Sequence, residues 1–282
     1  MIETVAFIHH ALEGHYAPHE IKSLTRILLE QVCGISPHQQ ILHKDNELSV
    51  TEKEQIHRFV KRLQTGEPIQ YLLGRAEFLG LSLRVNPAVL IPRPETEELV
   101  DRILRTEKGK ALRILDIGTG SGCIAIALAK FLPESRVTAL DLSPEALDIA
   151  RSNATEQQVT IRFIQADILR TKETEALLSQ PFDLIISNPP YVLESEKAMM
   201  EPNVLDYEPA TALFVPDNDP LLFYRSIAET GLSLLRPGGS LYFEINARCG
   251  AITLDMLRRK SYSSIELSQD LSGKDRFIKA IR

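Results

Sequence analysis

The chain has 282 residues, of which 44% are hydrophobic and 25% charged, with no Trp and a formal net charge of −6. Length and composition are those of an ordinary soluble globular protein, either one large domain with an appendage or two domains. An acidic balance gives no long-range attraction for a phosphate backbone, so stable nucleic-acid binding is not expected.

The start, MIETVAFIHHALEG, carries Glu3 and no basic run. It fits neither a secretory nor a transit signal, and a cytoplasmic location is the expectation. Pro18-His19-Glu20 precedes an apolar series at Ile21, Leu24, Leu28 and Val32, with Gly34 at the stop, which predicts a helix. Thr51-x-x-Glu54 reads as a capping box for a second helix along Ile56, Phe59, Val60 and Leu63, ended by Gly66 and Pro68. Residues 1–75 are therefore expected to form a small helical domain. All seven histidines, His9, His10, His15, His19, His38, His43 and His57, fall within it and are expected on helix surfaces. A site built from later residues has no imidazole, which excludes a Ser-His-Asp triad and a His-bound zinc there.

EFLGLSLRVNPAVLIP follows, with Phe78, Leu81, Leu83 and Val85 alternating around Gly80, and predicts a β-hairpin linker over 76–94. Arg93-Pro94-Glu95-Thr96-Glu97-Glu98 then reads as a helix start with acidic residues in its first turn. From about 95 to 282 strands and helices alternate. LRILDI, RVTALD, TIRFIQAD, FDLIISN and GGSLYFEI are the strands, while 122–132, the segment capped by Ser143-Pro144-Glu145, and LLFYRSIAETGLSLL are helices. Such alternation predicts an α/β fold with a doubly wound, mostly parallel sheet. The longest apolar stretch, Cys123 to Leu132, is interrupted by Lys130 and is shorter than the about 20 residues of a bilayer span, so no membrane association is expected. Cys33, Cys123 and Cys249 are too far apart for a disulfide framework or a metal site; they read as small buried hydrophobes, and no metal is expected.

Asp116-Ile117-Gly118-Thr119-Gly120-Ser121-Gly122 follows a strand and opens a helix. Its glycines permit a tight turn and close approach of a ligand to the backbone. Asp141, ending the next strand, is placed to accept from ribose hydroxyls. A dinucleotide would present a pyrophosphate, which gains little beside Asp116 and usually meets G-x-G-x-x-G rather than G-T-G-S-G. S-adenosyl-L-methionine, with an ammonium and a sulfonium, would gain, and Asp167 ends the third strand where its adenine edge would lie.

The fourth strand stops at Asn188-Pro189-Pro190-Tyr191, at the carboxyl edge where open α/β sheets bind ligands. The prolines hold φ near −65° and push Asn188 towards an extended backbone. The Asn188 side-chain carbonyl and the Pro189 carbonyl then form two rigid acceptors, matching the two N–H bonds of a planar NH₂. Tyr191, expected to be exposed, offers a ring face. The chemistry suggested is methyl transfer to an amide or exocyclic amine nitrogen.

GEPIQYLLGRAEFLGLSLRV, LIPRPETEELV, LDIGTGSGCIAIALA, SNPPYV, DYEPATAL and GKDRF together resemble the HemK/PrmC family of protein-(glutamine-N5) methyltransferases. The likeness runs from about Gly66 to the C-terminus; the earlier helices match in type, as expected of a substrate-docking domain. It implies a class I methyltransferase-type, Rossmann-like fold and a release factor as partner. It further implies that Gly118, Thr119, Gly120, Ser121, Gly122, Asp141, Asp167 and Ile168 contact S-adenosylmethionine, with Asp116 and Asn188 beside them. Asn188, Pro189 and Tyr191 would hold the glutamine of a Gly-Gly-Gln loop, with Pro190 and Arg93 as further substrate contacts. Two departures from the family pattern are Asp219-Pro220-Leu221 in place of Asp-Gly-Leu and Glu244-Ile245-Asn246 in place of Glu-Ile-Gly.

Two other activities share parts of these signals. An adenine or guanine amino methyltransferase also presents a planar NH₂ to such a tetrapeptide, but needs a basic surface, which the charge balance does not supply. An NAD-dependent oxidoreductase uses a similar sheet, but typically wants a proton-relaying side chain and the full glycine fingerprint. A non-catalytic nucleoside-binding module leaves Asn188 to Tyr191 without a role.

Overall fold

The computed structural model describes residues 1–42, 47–178 and 180–282, and falls into two compact units. The first unit is Met1–Gly74 with Glu201–Tyr207; the second is Arg75–Met200 with Glu208–Arg282.

In the first unit, helices α1 (Ile2–Leu12), α2 (Pro18–Cys33), α3 (Pro37–Leu42), α4 (Val50–Gln64) and α5 (Ile69–Leu73) gather around Ile8, Leu12, Leu28, Ile56 and Leu63, all nearly or fully buried. These apolar positions recur at helical spacing, so each helix turns one stripe inward. Pro18 occupies the first helical position of α2, as expected. The cap of α4 lies two residues earlier than the sequence suggests. Ser49 accepts from the Glu52 amide while the Glu52 carboxylate accepts from the Ser49 amide, so the box is Ser49/Glu52 rather than Thr51/Glu54. Both tetrapeptides satisfy the pattern; the earlier one adds the first turn that carries Val50 and Thr51. His9, His10, His15, His19, His38 and His57 are exposed, and His43 lies outside the described residues. The unit also takes in Glu201–Tyr207, where the Tyr207 hydroxyl donates to the Thr65 carbonyl (3.0 Å).

The second unit opens with the antiparallel pair β1 (Arg75–Phe78) and β2 (Leu81–Arg84). Phe78, Leu81 and Leu83 join the same core as Leu99, Val100 and Ile103 of α6 (Pro94–Glu107), so the hairpin is packed into this unit. The main sheet has seven strands: β3 (Arg113–Ile117), β4 (Arg136–Asp141), β5 (Ile161–Gln165), β6 (Phe182–Ser187), β9 (Leu235–Glu244), β10 (Ser263–Gln269) and β11 (Asp275–Ile281), in the order β10-β11-β9-β6-β3-β4-β5. A short parallel pair, β7 (Val192–Leu193) and β8 (Phe214–Val215), stands apart. Strands β9, β6, β3, β4 and β5 run parallel, while β11 is antiparallel to both its neighbours. Helices α7 (Cys123–Phe131), α8 (Pro144–Glu156), α9 (Thr171–Leu177), α10 (Pro202–Tyr207, in the first unit), α11 (Ala210–Leu213), α12 (Leu222–Leu234) and α13 (Gly250–Arg259) complete the chain. Two core clusters, one holding Ile114 and Ile186 and the other Leu115 and Ile185, mark the sheet's two covered faces, since neighbouring strand residues point to opposite sides. Among the described residues, no helix is long and apolar enough to cross a membrane.

Candidate functional site

The sheet reverses its winding between β3 and β6: β4 and β5 lie to one side of β3, and β6 and β9 to the other. Open α/β sheets bind ligands at the carboxyl edge of such a switch point. Register pairs Ile117 with Ser187 and Ser187 with Phe243, so Gly118, Asn188 and Glu244 follow one another along that edge. The Ser187 hydroxyl donates to the Ile117 carbonyl (2.6 Å) and ties two of these strand ends together. A cavity of about 250 Å³ opens here. Of the residues expected at the site, Gly118, Gly120, Asp141, Asp167, Ile168, Asn188, Pro189 and Pro190 line it.

The glycine loop divides into two parts. Gly118 and Gly120 have φ of +73° and +53°, and a Cβ on either would meet nothing within 4 Å, so both leave backbone open to a ligand. Gly122 has φ +84°, and a Cβ there would lie 2.9 Å from Ile126 Cδ1 and 3.1 Å from Ala150 Cβ. It serves the approach of α7 to α8 and does not line the cavity. Thr119 and Ser121, buried and likewise absent from the lining, hold the loop from beneath: the Thr119 hydroxyl donates to Asp116 Oδ2 (2.6 Å) and the Ser121 carbonyl accepts from Asn153 Nδ2 (2.9 Å).

Asp116 is fully buried, and among the described residues its Oδ1 has no hydrogen-bond partner. Burial above all, with Asp141 nearby, pushes its carboxyl up to about 7, against the pull of the Thr119 hydroxyl and the Ala125 amide. Asp141 accepts from the Gly120 amide (2.8 Å) and the Ser143 amide (3.0 Å), one on each oxygen, and burial raises its pKa. A carboxylate offers about four lone-pair sites, so two remain for hydroxyl donors. Asp167 accepts from the Leu169 amide (2.9 Å), and Ile168 beside it is buried. Among the described residues, the lining contains Asp141 and Asp167 but no Lys or Arg. A nucleoside bearing a cation fits this set; a pyrophosphate finds nothing to neutralise it.

At the other end of the edge, Asn188 Nδ2 donates to Thr96 Oγ1 (3.1 Å), and the Thr96 hydroxyl donates to Glu244 Oε2 (2.6 Å). Tyr191, expected to be exposed, is half-buried against the core, and its hydroxyl donates to Glu244 Oε1 (3.1 Å). The reason is that a carboxylate buried to 1% exposure needs donors, and the phenol is one of them. Tyr191 does not line the cavity. Burial raises the Glu244 pKa, partly offset by the Thr96 and Tyr191 hydroxyls and by Arg276, and burial likewise raises that of Tyr191. Arg93 also stays off the cavity: its guanidinium is ion-paired with the buried Glu208, whose Oε2 accepts from the Ile91 amide (3.1 Å). Asn246, at one of the departures from the family pattern, donates to the Tyr191 carbonyl (3.1 Å) and to Glu196 Oε2 (3.1 Å). Thr96, Glu244 and Asn246 carried no local signal of a site, because their partners lie far away in the chain: Thr96 in the first turn of α6 meets Asn188 and Glu244, and Asn246 meets Tyr191.

Residues 108–247 match a methyltransferase domain and residues 3–74 a PrmC N-terminal domain. The chain is 47% identical to the release factor glutamine methyltransferase of Bacteroides thetaiotaomicron over the whole of both chains. With the protein of the same name from Flavobacterium psychrophilum it shares 45% identity over 95% of this chain and 94% of the other. A crystal structure of a methyltransferase from Pyrococcus furiosus aligns with a TM-score of 0.55 over 79% of this chain and 98% of that one; at 19% identity it shows a common fold. The expected class I methyltransferase architecture is therefore present. On its full-length identity to these relatives and both domain matches, the chain belongs to the release factor glutamine methyltransferase family.

Proposed function

We propose that the chain transfers a methyl group from S-adenosyl-L-methionine to the side-chain amide nitrogen (N5) of the glutamine in the Gly-Gly-Gln loop of peptide-chain release factors. The observation that carries this is the register of β6 against β3, which sets Asn188 and Pro189 beside Gly118 on one cavity whose lining, among the described residues, has acidic groups and no Lys or Arg. The backbone of Gly118 and Gly120 would take the methionine end of the cofactor, Asp141 its ribose hydroxyls, and Asp167 with Ile168 its adenine. Bound there, S-adenosylmethionine supplies an electrophilic methyl on a positively charged sulfur and departs as a neutral thioether.

The chain's own task is to hold the nitrogen. Asn188 Oδ1 and the Pro189 carbonyl accept the two N–H bonds of the glutamine NH₂ and turn its π face towards the methyl. As the N–C bond forms, positive charge grows on that nitrogen, and the same two oxygens stabilise it. The N-methylated amide then releases one proton to solvent, so no side-chain base is required, in keeping with the confinement of histidine to the first 57 residues. The helical unit serves to dock the release factor away from the reacting glutamine, and the cytoplasm, where release factors act, is the expected compartment. The test is mass spectrometry of a release factor after incubation with the protein and labelled cofactor. A gain of one methylene on the Gly-Gly-Gln peptide is expected; label found only in nucleic acid would transfer the assignment to the exocyclic-amine reading.

A further inference from the structure

An asparagine side chain has two ends of nearly the same shape and opposite hydrogen-bonding character. Methylation as proposed above needs the carbonyl end of Asn188 at the substrate, because an NH₂ end would face the donors of the glutamine amide. Proline rigidity cannot make this choice, since the prolines fix the backbone and leave the amide free to turn over. Something outside the tetrapeptide must do so.

We infer that Thr96 and Glu244 form a hydrogen-bond polarity lock that fixes which end of the Asn188 amide faces the acceptor site. Thr96 has a single hydroxyl proton, and that proton goes to Glu244 Oε2 at 2.6 Å. What Thr96 presents to Asn188 is then a lone pair, which only the NH₂ end can meet, at 3.1 Å. The turned-over amide would set two acceptors against each other beside Thr96, which is 3% exposed, and Glu244, which is 1% exposed. Tyr191 closes the other side of the lock. Its hydroxyl donates to Oε1, so each oxygen of Glu244 accepts from one hydroxyl. The three elements that meet here are far apart in the chain: the first turn of α6, the exit of β6 and the end of β9. Neither Thr96 nor Glu244 lines the cavity, so both are positioning residues that act through Asn188.

The lock rests on the glutamine-methylation reading for its purpose but not for its existence, and the tests separate the two. Thr96→Val keeps the shape and removes the lone pair, Thr96→Ser keeps the hydroxyl, and Glu244→Gln brings a donor that can reverse the polarity through Thr96. Each would be compared with wild type in single-turnover methylation of a release factor at saturating cofactor, per folded molecule, with calorimetry of cofactor binding. Outer-shell groups that orient a reacting ligand are typically worth about 10- to 100-fold in activity. Losses of that order are expected for Thr96→Val and Glu244→Gln, with cofactor affinity within a few fold and Thr96→Ser close to wild type. A near-normal rate in Thr96→Val, equal losses in Val and Ser, or loss of cofactor affinity in step with rate would each overturn the lock. Nitrogen-15 NMR of the protein without substrate reads the same device independently: a slowly exchanging Asn188 side-chain proton in wild type and Thr96→Ser, lost in Thr96→Val. If wild type leaves release factors unmethylated while that proton is protected, the functional reading fails and the lock stands; if the proton exchanges freely in wild type, the lock fails whatever the activity.

Discussion

At the β3–β4 end of the carboxyl edge, the side chain that faces the cavity, Asp141, is held by backbone. Asp141 takes the amides of Gly120 and Ser143, and the amides of Gly118 and Thr119 both donate to the Leu140 carbonyl (2.9 and 3.0 Å). At the β6–β9 end polar side chains are held by other side chains, with Asn188 on Thr96 across 92 residues of sequence and Thr96 on Glu244 across 148. The difference follows from what each end must do. A carboxylate that accepts from ribose hydroxyls works with any of its lone pairs, and nearby amides suffice to place it. An amide that must show one end and hide the other needs a directional partner, which regular backbone at a strand exit does not provide.

If the two ends divide the labour in this way, mutations should separate rate from affinity. Asn188→Ala is expected to lower kcat by about 10² to 10³, the usual loss when a group that stabilises transition-state charge is removed, with cofactor affinity within a few fold. Single-turnover rates on the folded, cofactor-saturated variant decide it, and a rate near wild type would refute the role given to Asn188. Asp141→Ala should do the reverse. Hydrogen bonds to a charged acceptor contribute roughly 1.5–3 kcal/mol each, so cofactor affinity should fall about tenfold to a hundredfold or more while turnover at saturation changes little. Unchanged affinity by calorimetry would take Asp141 out of the cofactor site.

The same contrast explains how far the site could be read from residues alone. The glycine loop and Asp141 stand at the ends of consecutive strands, and local patterning exposes them: an apolar run, a glycine cluster, a carboxylate about 20 residues on. Even there, spacing did not tell Gly118 and Gly120, which face open space, from Gly122, which faces α8. Asn188 to Tyr191 were visible as a motif, but the expected exposure of Tyr191 and the substrate role expected of Arg93 meet Glu244 and Glu208 in the structure. Those partners come from β9 and from the segment before α11, and only sheet register and loop packing bring them near. The antiparallel β10–β11 edge also escaped, although a turn joins its strands, the Gly273 amide donating to the Asp270 carbonyl (2.9 Å).

Asp116 sharpens the comparison from the cofactor end, because it is a buried carboxyl, one oxygen of which has no partner among the described residues. Its folded pKa of about 7 lies above the unfolded value of about 4, so the folded state holds the proton more tightly. The stability this contributes is full below about pH 4 and is lost as pH rises towards about 7, after which it is level. Asp141 and Glu244 are shifted in the same direction, so the informative quantity is a difference. Denaturant unfolding of the cofactor-free protein should show wild type losing stability relative to Asp116→Asn between those two pH values. Parallel curves would mean that Asp116 keeps an ordinary pKa.

The smallest expected effects separate two glycines in one loop. An L-residue held at positive φ costs roughly 1–2 kcal/mol, so Gly120→Ala and Gly122→Ala both pay a similar backbone strain. They differ in what the new methyl meets. At Gly122 it would press on Ile126 Cδ1 at 2.9 Å and on Ala150, and Ala150 on α8 cannot move aside without its helix, so overpacking adds to the strain by about another 1 kcal/mol or more. At Gly120 it would stand in open space on the cavity wall. Gly122→Ala should therefore be the less stable of the two yet bind cofactor normally once folded. Gly120→Ala should be the more stable and bind cofactor more weakly, through the methyl it places where the ligand approaches. Melting temperatures with and without S-adenosylmethionine measure both at once, because at a fixed ligand concentration the stabilisation grows with the logarithm of the affinity. Equal cofactor-induced shifts in the two variants would mean that Gly120, like Gly122, serves the fold and not the ligand.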